Sequence, residues 1–322
     1  PTLFVINKID SEKADYEMSA KSLKELVGNN AVLIQYPIKI DGAQCIIDVL
    51  KMKCYKFGPE GGKPEKLKIP DDQIDYANKL HNELVEKAAE NDEELMELYF
   101  DKGTLNEDEL RKGIKLGMLN HDVFPVFCVS ALKDMGTGRL MGFIDNVAPA
   151  AADLKPEQTI DGESLTPDVN EDTSLFIFKT VYQPNLGQIT FFKVMSGEVH
   201  VNDKLYNPRT GEQETLNQLY IMDGKQKHSV QKLTVGDIGA TTKLKSTETN
   251  DTLAAKAEAG RIKPIKFPQP RWVKAVFAES TTEEEKLSDA LKRIHSQDST
   301  VDVSYNKETH QTLVGTQGEL HL

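Results

Sequence analysis

The amino-acid sequence predicts a multidomain chain. It reads as part of an α/β domain carrying an α+β insertion, then an antiparallel β-barrel, then a truncated ferredoxin-like α+β domain. Three observations carry this. Leu3-Phe-Val-Ile6 and Pro125-Val-Phe-Cys-Val129 are short, continuous apolar runs, the pattern of strands buried on both faces of a parallel sheet, with a long stretch of other elements between them. From Leu175 to Leu253, short strand-like runs alternate with turn dipeptides and no long helical pattern intervenes. After Pro268 and Pro270 the order is strand, helix, strand, strand and a helix start.

At the carboxyl end of the first strand stand Asn7, Lys8 and Asp10, where an open α/β sheet displays its ligand-binding side chains. Asn7 can donate and accept, the Lys8 stem can cover the flat face of a purine, and the Asp10 carboxylate can accept from two adjacent donors. Guanine offers that donor pair at its ring N–H and exocyclic amine, and adenine does not. The second strand leads into Ser130-Ala131, a small-residue turn whose backbone N–H can approach the guanine carbonyl. Two such strand ends in order predict a guanine site made of Asn7, Lys8, Asp10, Ser130 and Ala131. An ordinary strand followed by a helix cap is the bland alternative for Asn-Lys-x-Asp alone.

Ser11 to Val27 reads as a helix stopped by Gly28. Ala31–Ile40 and Ala43–Leu50 are strand-like and split by Asp41-Gly42, and Met52–Phe57 continues as a strand. Gly58–Pro70 is a loop. Asp72–Asn91, Glu93–Phe100 and Asn106–Gly117 have helical spacing, the last opening with a cap and acids in its first turn. This block, residues 32–117, is expected to be an α+β insertion in a nucleotide-binding domain formed by 1–31 and 118–153. Its acidic face, Glu83, Glu86, Glu90, Glu93, Glu94 and Glu97, reads first as a solvated surface, as charge runs usually are, with docking of a basic ribosomal protein as the alternative. Gly136-Thr137-Gly138 follows Ser130 and is expected to precede the closing helix Leu140–Val147. A linker over 154–171, a barrel over 172–263 and a partial ferredoxin-like domain over 264–322 complete the order. In the last domain Thr281-Thr-Glu-Glu284 matches a capping box. Val301, Val303 and Leu313 are expected on one exposed apolar sheet face.

The chain of 322 residues has a formal net charge of −12, which argues against a free nucleic-acid-binding module resting on counterion release. Cys45, Cys54 and Cys128 are scattered and form no Cys-x-x-Cys pair, so reduced, buried thiols are expected and a zinc site is not. No apolar run is long enough to span a bilayer.

These motifs together resemble translation elongation factor G, a ribosomal translocase GTPase, over essentially the whole chain. The resemblance rests on Asn7-Lys8-Ile9-Asp10, on Ser130-Ala131, and on an insertion with Tyr36-Pro37-Ile38 and Ile46-Ile47-Asp48-Val49 near its start. It rests further on Gly187-x-x-x-Phe-Phe-Lys-Val-x-Ser-Gly197 and on Gly315-x-x-Gly318-Glu319-Leu320-His321-Leu322. It implies a cytoplasmic GTPase parent that uses GTP/GDP with Mg2+ and works on the ribosome, touching rRNA and ribosomal proteins, with no membrane partner. The Gly-x-x-x-x-Gly-Lys-[Ser/Thr] phosphate loop does not occur in the sequence. The chain is therefore expected to be a piece lacking that loop and the C-terminal domains, to hold no catalytic residue or metal site, to bind nucleotide weakly and to be inactive alone. His121 and His321 are not expected to be catalysts. Ser11 departs from the Arg or Lys common there in the family, which removes a charge near the site. A paralogue or a ribosomal protection protein that binds ribosomes with a reduced or absent GTPase role is the alternative. A non-translational binding module would leave both guanine-type turns unexplained.

Overall fold

The computed structural model describes residues 1–183 and 187–322, with the side chains of Thr281 and Thr282 outside the described set. The chain divides into two compact units, Pro1–Ala150 and Ala151–Leu322. Among the described residues no helix is long and apolar enough to cross a membrane.

In the first unit the elements run β1 (Phe4–Ile6), α1 (Tyr16–Val27), β2 (Ala31–Leu33), β3 (Gln35–Ile40), β4 (Ala43–Asp48), β5 (Lys53–Lys56), β6 (Glu65–Leu67), α2 (Asp71–Ala89), α3 (Glu93–Lys102), α4 (Glu107–Asn120), β7 (Phe124–Cys128) and α5 (Thr137–Asn146). Three of the strands form a parallel sheet in the order β1-β7-β2, and four form an antiparallel sheet in the order β3-β4-β5-β6. The run over Ala31–Ile40 is thus two strands. Ile34 divides them, giving its N–H to Val126 in the parallel sheet while its carbonyl accepts from Val49 of the insertion. Proline is tolerated at Pro37 because β3 is an edge strand.

The strand expected to be buried on both faces is not: Val5 is 39 % exposed, and among the described residues β1 pairs only with β7. Asp15, not Ser11, caps α1, accepting from Met18 N at 2.8 Å, so the helix starts at Tyr16 and residues 11–14 form a turn. Helix α4 opens with the expected cap, elaborated into a reciprocal box in which Asn106 accepts from Glu109 N and Glu109 accepts from Asn106 N. Aliphatic side chains of α2, α4, β4 and β7 share one core, with Phe127 and Phe143 edge to face at 4.8 Å. At the crossing of α2 and α4, Gly113 is required, because a Cβ there would stand 2.4 Å from Ala88 O.

The second unit contains β8 (Glu157–Gln158), β9 (Ser164–Leu165), β10 (Ser174–Gln183), β11 (Gly187–Ser196), β12 (Glu198–His200), β13 (Lys204–Tyr206), β14 (Gln213–Thr215), β15 (Leu219–Asp223), β16 (Gln226–Val230), β17 (Lys232–Thr234), β18 (Ile238–Thr242), β19 (Thr252–Ala254), β20 (Trp272–Val276), α6 (Thr281–Gln297), β21 (Asp302–Asn306) and β22 (Gln311–Thr316). Eight strands make an antiparallel sheet in the order β14-β13-β19-β10-β11-β18-β15-β16, and β12 pairs with β17. The sheet curls, because residues near its two edges, Leu205 and Leu219, meet in one core with Leu175, Phe192 and Leu253. Its hydrogen-bonded order has β14 and β16 as its two edges among the described residues. Buried Glu214 of β14 accepts from the N–H groups of Lys245 and Ser246 and from the Thr247 hydroxyl, fastening one edge to the strand connection beyond β18.

The last three strands form an antiparallel sheet in the order β20-β22-β21, with α6 over one face. Val301, Val303 and Leu313 do not share a face. Val301 is 3 % exposed in the core under α6, and Val303 packs partly against the same core. Leu313 pairs with Ser304 on the opposite side of the sheet, because neighbouring residues of a strand alternate in direction. Ser280 takes the cap position of α6, and the side chains of Thr281 and Thr282, on which the capping-box expectation rests, lie outside the described residues. Gly318–Leu322 forms a single hydrogen-bonded turn, with His321 N and Leu322 N both donating to Gly318 O. The helix end also meets the larger sheet: Tyr182 N donates to Gln297 Oε1 at 3.3 Å, and the Arg293 guanidinium lies 5.3 Å over the Tyr182 ring.

Candidate functional site

Strands β1 and β7 are parallel neighbours with Ile6 opposite Cys128, so their carboxyl ends lie side by side. The pairing continues into the loops: Val129 N donates to Ile6 O at 2.9 Å and Ile9 N to Val129 O at 3.3 Å. This brings the turn at residues 7–11 against the turn at residues 130–135, although the sequence separates them widely. All five residues expected at the guanine site therefore come together.

Asn7 joins the two turns. Its Oδ1 accepts from Lys8 N at 2.7 Å and from Ala131 N at 3.0 Å. Lys8 is exposed and sits at φ 65°, a left-handed conformation that costs a non-glycine residue about 1–2 kcal/mol. The turn is closed by Ser11 N, which donates to Lys8 O at 3.0 Å. Ser130 is fully buried and its backbone is occupied, exchanging N–H and carbonyl bonds with Met135 at 2.9 and 3.0 Å. The Ser130 side chain, with smaller contributions from the Asp10 backbone N–H and the Lys133 charge, holds the Asp10 carboxyl below its ordinary range. Lys133 N in turn donates to Ser130 Oγ at 3.3 Å.

The backbone N–H groups expected to meet a base carbonyl are thus both used inside the protein: Ser130 N by Met135, Ala131 N by Asn7. Asp10 remains half-exposed, and Asn7, Lys8 and Ala131 are exposed. A cleft of about 340 Å³ beside the start of α1 takes in Asn7 and Lys8 but not Asp10, Ser130 or Ala131, so the five residues form a rim rather than a closed cavity.

Two supports of this rim were not expected. Met135 closes the Ser130 turn. From the insertion, Gly62 N donates to Lys133 O at 3.3 Å, and Gly61 approaches so closely that a Cβ would stand 1.5 Å from the same oxygen. The Gly61-Gly62 pair was the signal available, but on its own it marks only a loop. Gly136 follows at φ 79°, with space for a Cβ only 2.8 Å from Cys128 O and 2.9 Å from Ile46 Cδ1. Gly136→Ala is expected to cost at least about 2 kcal/mol, combining the left-handed strain with the clash. The check is urea unfolding followed by helical circular dichroism, with Trp272 fluorescence of the second unit as an internal control that should not move.

Among the described residues no group of three or more His, Cys, Asp or Glu side chains is arranged to hold a metal ion. His121 closes α4 in the left-handed conformation, and His321 Nε2 lies 3.1 Å from Asp298 Oδ2. Cys45, Cys54 and Cys128 are free and buried, and burial raises all three thiols, Cys54 to about 11.

Residues 172–256 match the family model described as elongation factor G domain 2, and residues 267–322 match elongation factor G, domain III. In overall fold the chain is similar to a crystal structure of a Thermus thermophilus protein, with a TM-score of 0.85 and 21% sequence identity over 100% of this chain. The chain spans 46% of that protein's length. Two successive stretches of the chain, the curled sheet and the unit that follows it, thus match domain models of elongation factor G.

Proposed function

We propose that this chain is part of a ribosome-associated translational GTPase of the elongation factor G type, and that the rim at the carboxyl ends of β1 and β7 selects guanine. The observation that carries this reading is the meeting of the Asn7–Asp10 and Ser130–Ala131 turns, joined by the Ala131 N to Asn7 Oδ1 bond and by the pairing of Val129 with Ile6 and Ile9. Asp10, held ionised, accepts from the ring N–H and amine of guanine, and the Lys8 stem covers the base. Asn7 and Ser130 hold the two turns in register, and the exposed Ala131 N–H is shared between Asn7 and the base carbonyl.

In this reading residues 1–31 and 118–153 belong to the GTP-binding domain, and 32–117 is its insertion. The curled sheet over 172–263 is a barrel-type second domain, and 264–322 begins a ferredoxin-like domain. The two elongation factor G domain matches support GTP/GDP with Mg2+ and the ribosome, rRNA and ribosomal proteins included, as ligands of the intact protein. Positions that cradle phosphate and order the attacking water are assigned to no residue of this chain, so turnover belongs to the intact protein.

The test is GTP hydrolysis by the full-length protein with and without ribosomes, alongside displacement of a fluorescent GDP by GDP and by ADP. Strong stimulation by ribosomes and displacement by GDP alone are expected. Displacement by ADP as readily as by GDP would sink the guanine reading, and ribosome binding without turnover would favour the paralogue reading.

A further inference from the structure

Within the second unit, the last turns of α6 and the connection that follows β18 border a cleft of about 430 Å³. Each wall is held in place by bonds of its own. Buried Glu214 accepts from Lys245 N and Ser246 N of the connection, and Glu248 N donates to Asp251 at 2.8 Å. On the helix side, Tyr182 N bonds Gln297, and the Arg293 guanidinium rests over the Tyr182 ring. Cations and hydroxyls dominate the lining. Lys245 comes from one wall and Lys292 from the other; both are exposed, and neither ammonium has an ion-pair partner among the described residues. Thr249 and Ser299, again one from each wall, are half-buried, and their hydroxyls have no hydrogen-bond partner among the described residues. The acid on the lining, Glu248, is taken by Arg209 Nη2 at 3.2 Å. Basic residues near the end of a helix offset its dipole, which accounts for Lys292 and Arg293 on α6 but not for Lys245 on the other wall.

We propose that this cleft binds a small molecule through a diphosphate group. Positive charge on two walls calls for an anion charged at both ends, and a diphosphate carries acceptor oxygens on both phosphorus atoms. Each phosphate then has one lysine and one hydroxyl within its own wall as donors, and contacts of this charge-assisted kind are the strong ones. A single phosphate satisfies one wall only. The cleft has the volume of a small-molecule site. An RNA backbone instead needs a long basic surface, which a chain of net charge −12 does not supply. Because the ligand touches both walls, its binding ties α6 to the curled sheet. The site is independent of the guanine rim.

Inorganic pyrophosphate is the probe, titrated into the chain by calorimetry at low ionic strength without divalent cations. Saturable binding is expected, with a dissociation constant on the order of 1 mM for a ligand this small. Lys245→Gln and Lys292→Gln should each weaken it about tenfold, the loss of one charge-assisted contact, and the double variant should abolish it. Lys307→Gln, in the turn at the far end of β21 from Ser299, removes the same charge and should leave binding unaltered. All three lysines are exposed, so the melting temperature should not move. Inorganic phosphate should bind at least about tenfold more weakly, and a single-stranded RNA oligonucleotide should not displace pyrophosphate. Failure to saturate, equal binding of phosphate, unaltered binding in both cleft variants, an equal loss in Lys307→Gln, or displacement by RNA would overturn the proposal.

Discussion

Asp48→Asn is expected to destabilise the first unit by about 3–5 kcal/mol, the cost of leaving one half of a buried ion pair without its counter-charge. Asp48 ends β4 with its side chain 0 % exposed, and Arg139, on α5, is 17 % exposed. One carboxylate oxygen takes the Arg139 Nε bond, and the other accepts from Lys51 N at 2.9 Å. Asparagine retains the second bond but turns a neutral amide toward a guanidinium that has little water to fall back on. Arg139→Met should cost a similar amount by stranding the carboxylate. The double variant should cost clearly less than the sum, because the two charges leave together. Helical circular dichroism through a urea titration reads all three. Additive losses would show that the pair is not coupled, and losses below about 1 kcal/mol would put it in the class of surface bridges.

This pair also shows where sequence reading stops. Asp48 and Arg139 are 91 residues apart, and nothing local marks either as a partner. What the sequence does carry is periodicity and strand-end chemistry. Helices α2 to α4 follow from apolar spacing and the cap at Asn106, and the meeting of the two turns follows from two apolar runs with polar residues at their carboxyl ends. The same runs do not reveal their neighbours. Leu3–Ile6 looks doubly buried because its composition is apolar, yet Val5 is exposed and, among the described residues, β1 pairs only with β7. The helix read from Ser11 starts only at Tyr16, because residues 11–14 are drawn into turns beside the rim and Asp15 takes the cap. The split at Ile34 is likewise invisible, since both halves are strand and only their partners differ.

In the intact protein, Asp10→Asn is expected to weaken GDP binding about 100-fold, and to lower the preference for GDP over inosine diphosphate, which lacks the exocyclic amine, about tenfold. A hydrogen bond to a charged group is worth roughly 1.5–3 kcal/mol, and the carboxylate makes two to guanine in this reading. The amide keeps one acceptor but turns its NH2 toward one of the two base donors, so one bond is lost and a repulsion replaces it. The effect on the scaffold is smaller, because the substituted amide keeps an oxygen toward the Ser130 side chain that lowers the Asp10 carboxyl in the native chain. Ser130→Ala is the control: it removes the hydroxyl that accepts from Lys133 N without touching the base, so it should loosen the turn and weaken both nucleotides together. Competitive displacement of a fluorescent GDP by each diphosphate gives both numbers. An Asp10→Asn protein with the wild-type ratio of GDP to inosine diphosphate affinity would show that Asp10 serves only to hold the Ser130 turn, and base selection would then have to be sought elsewhere on the rim.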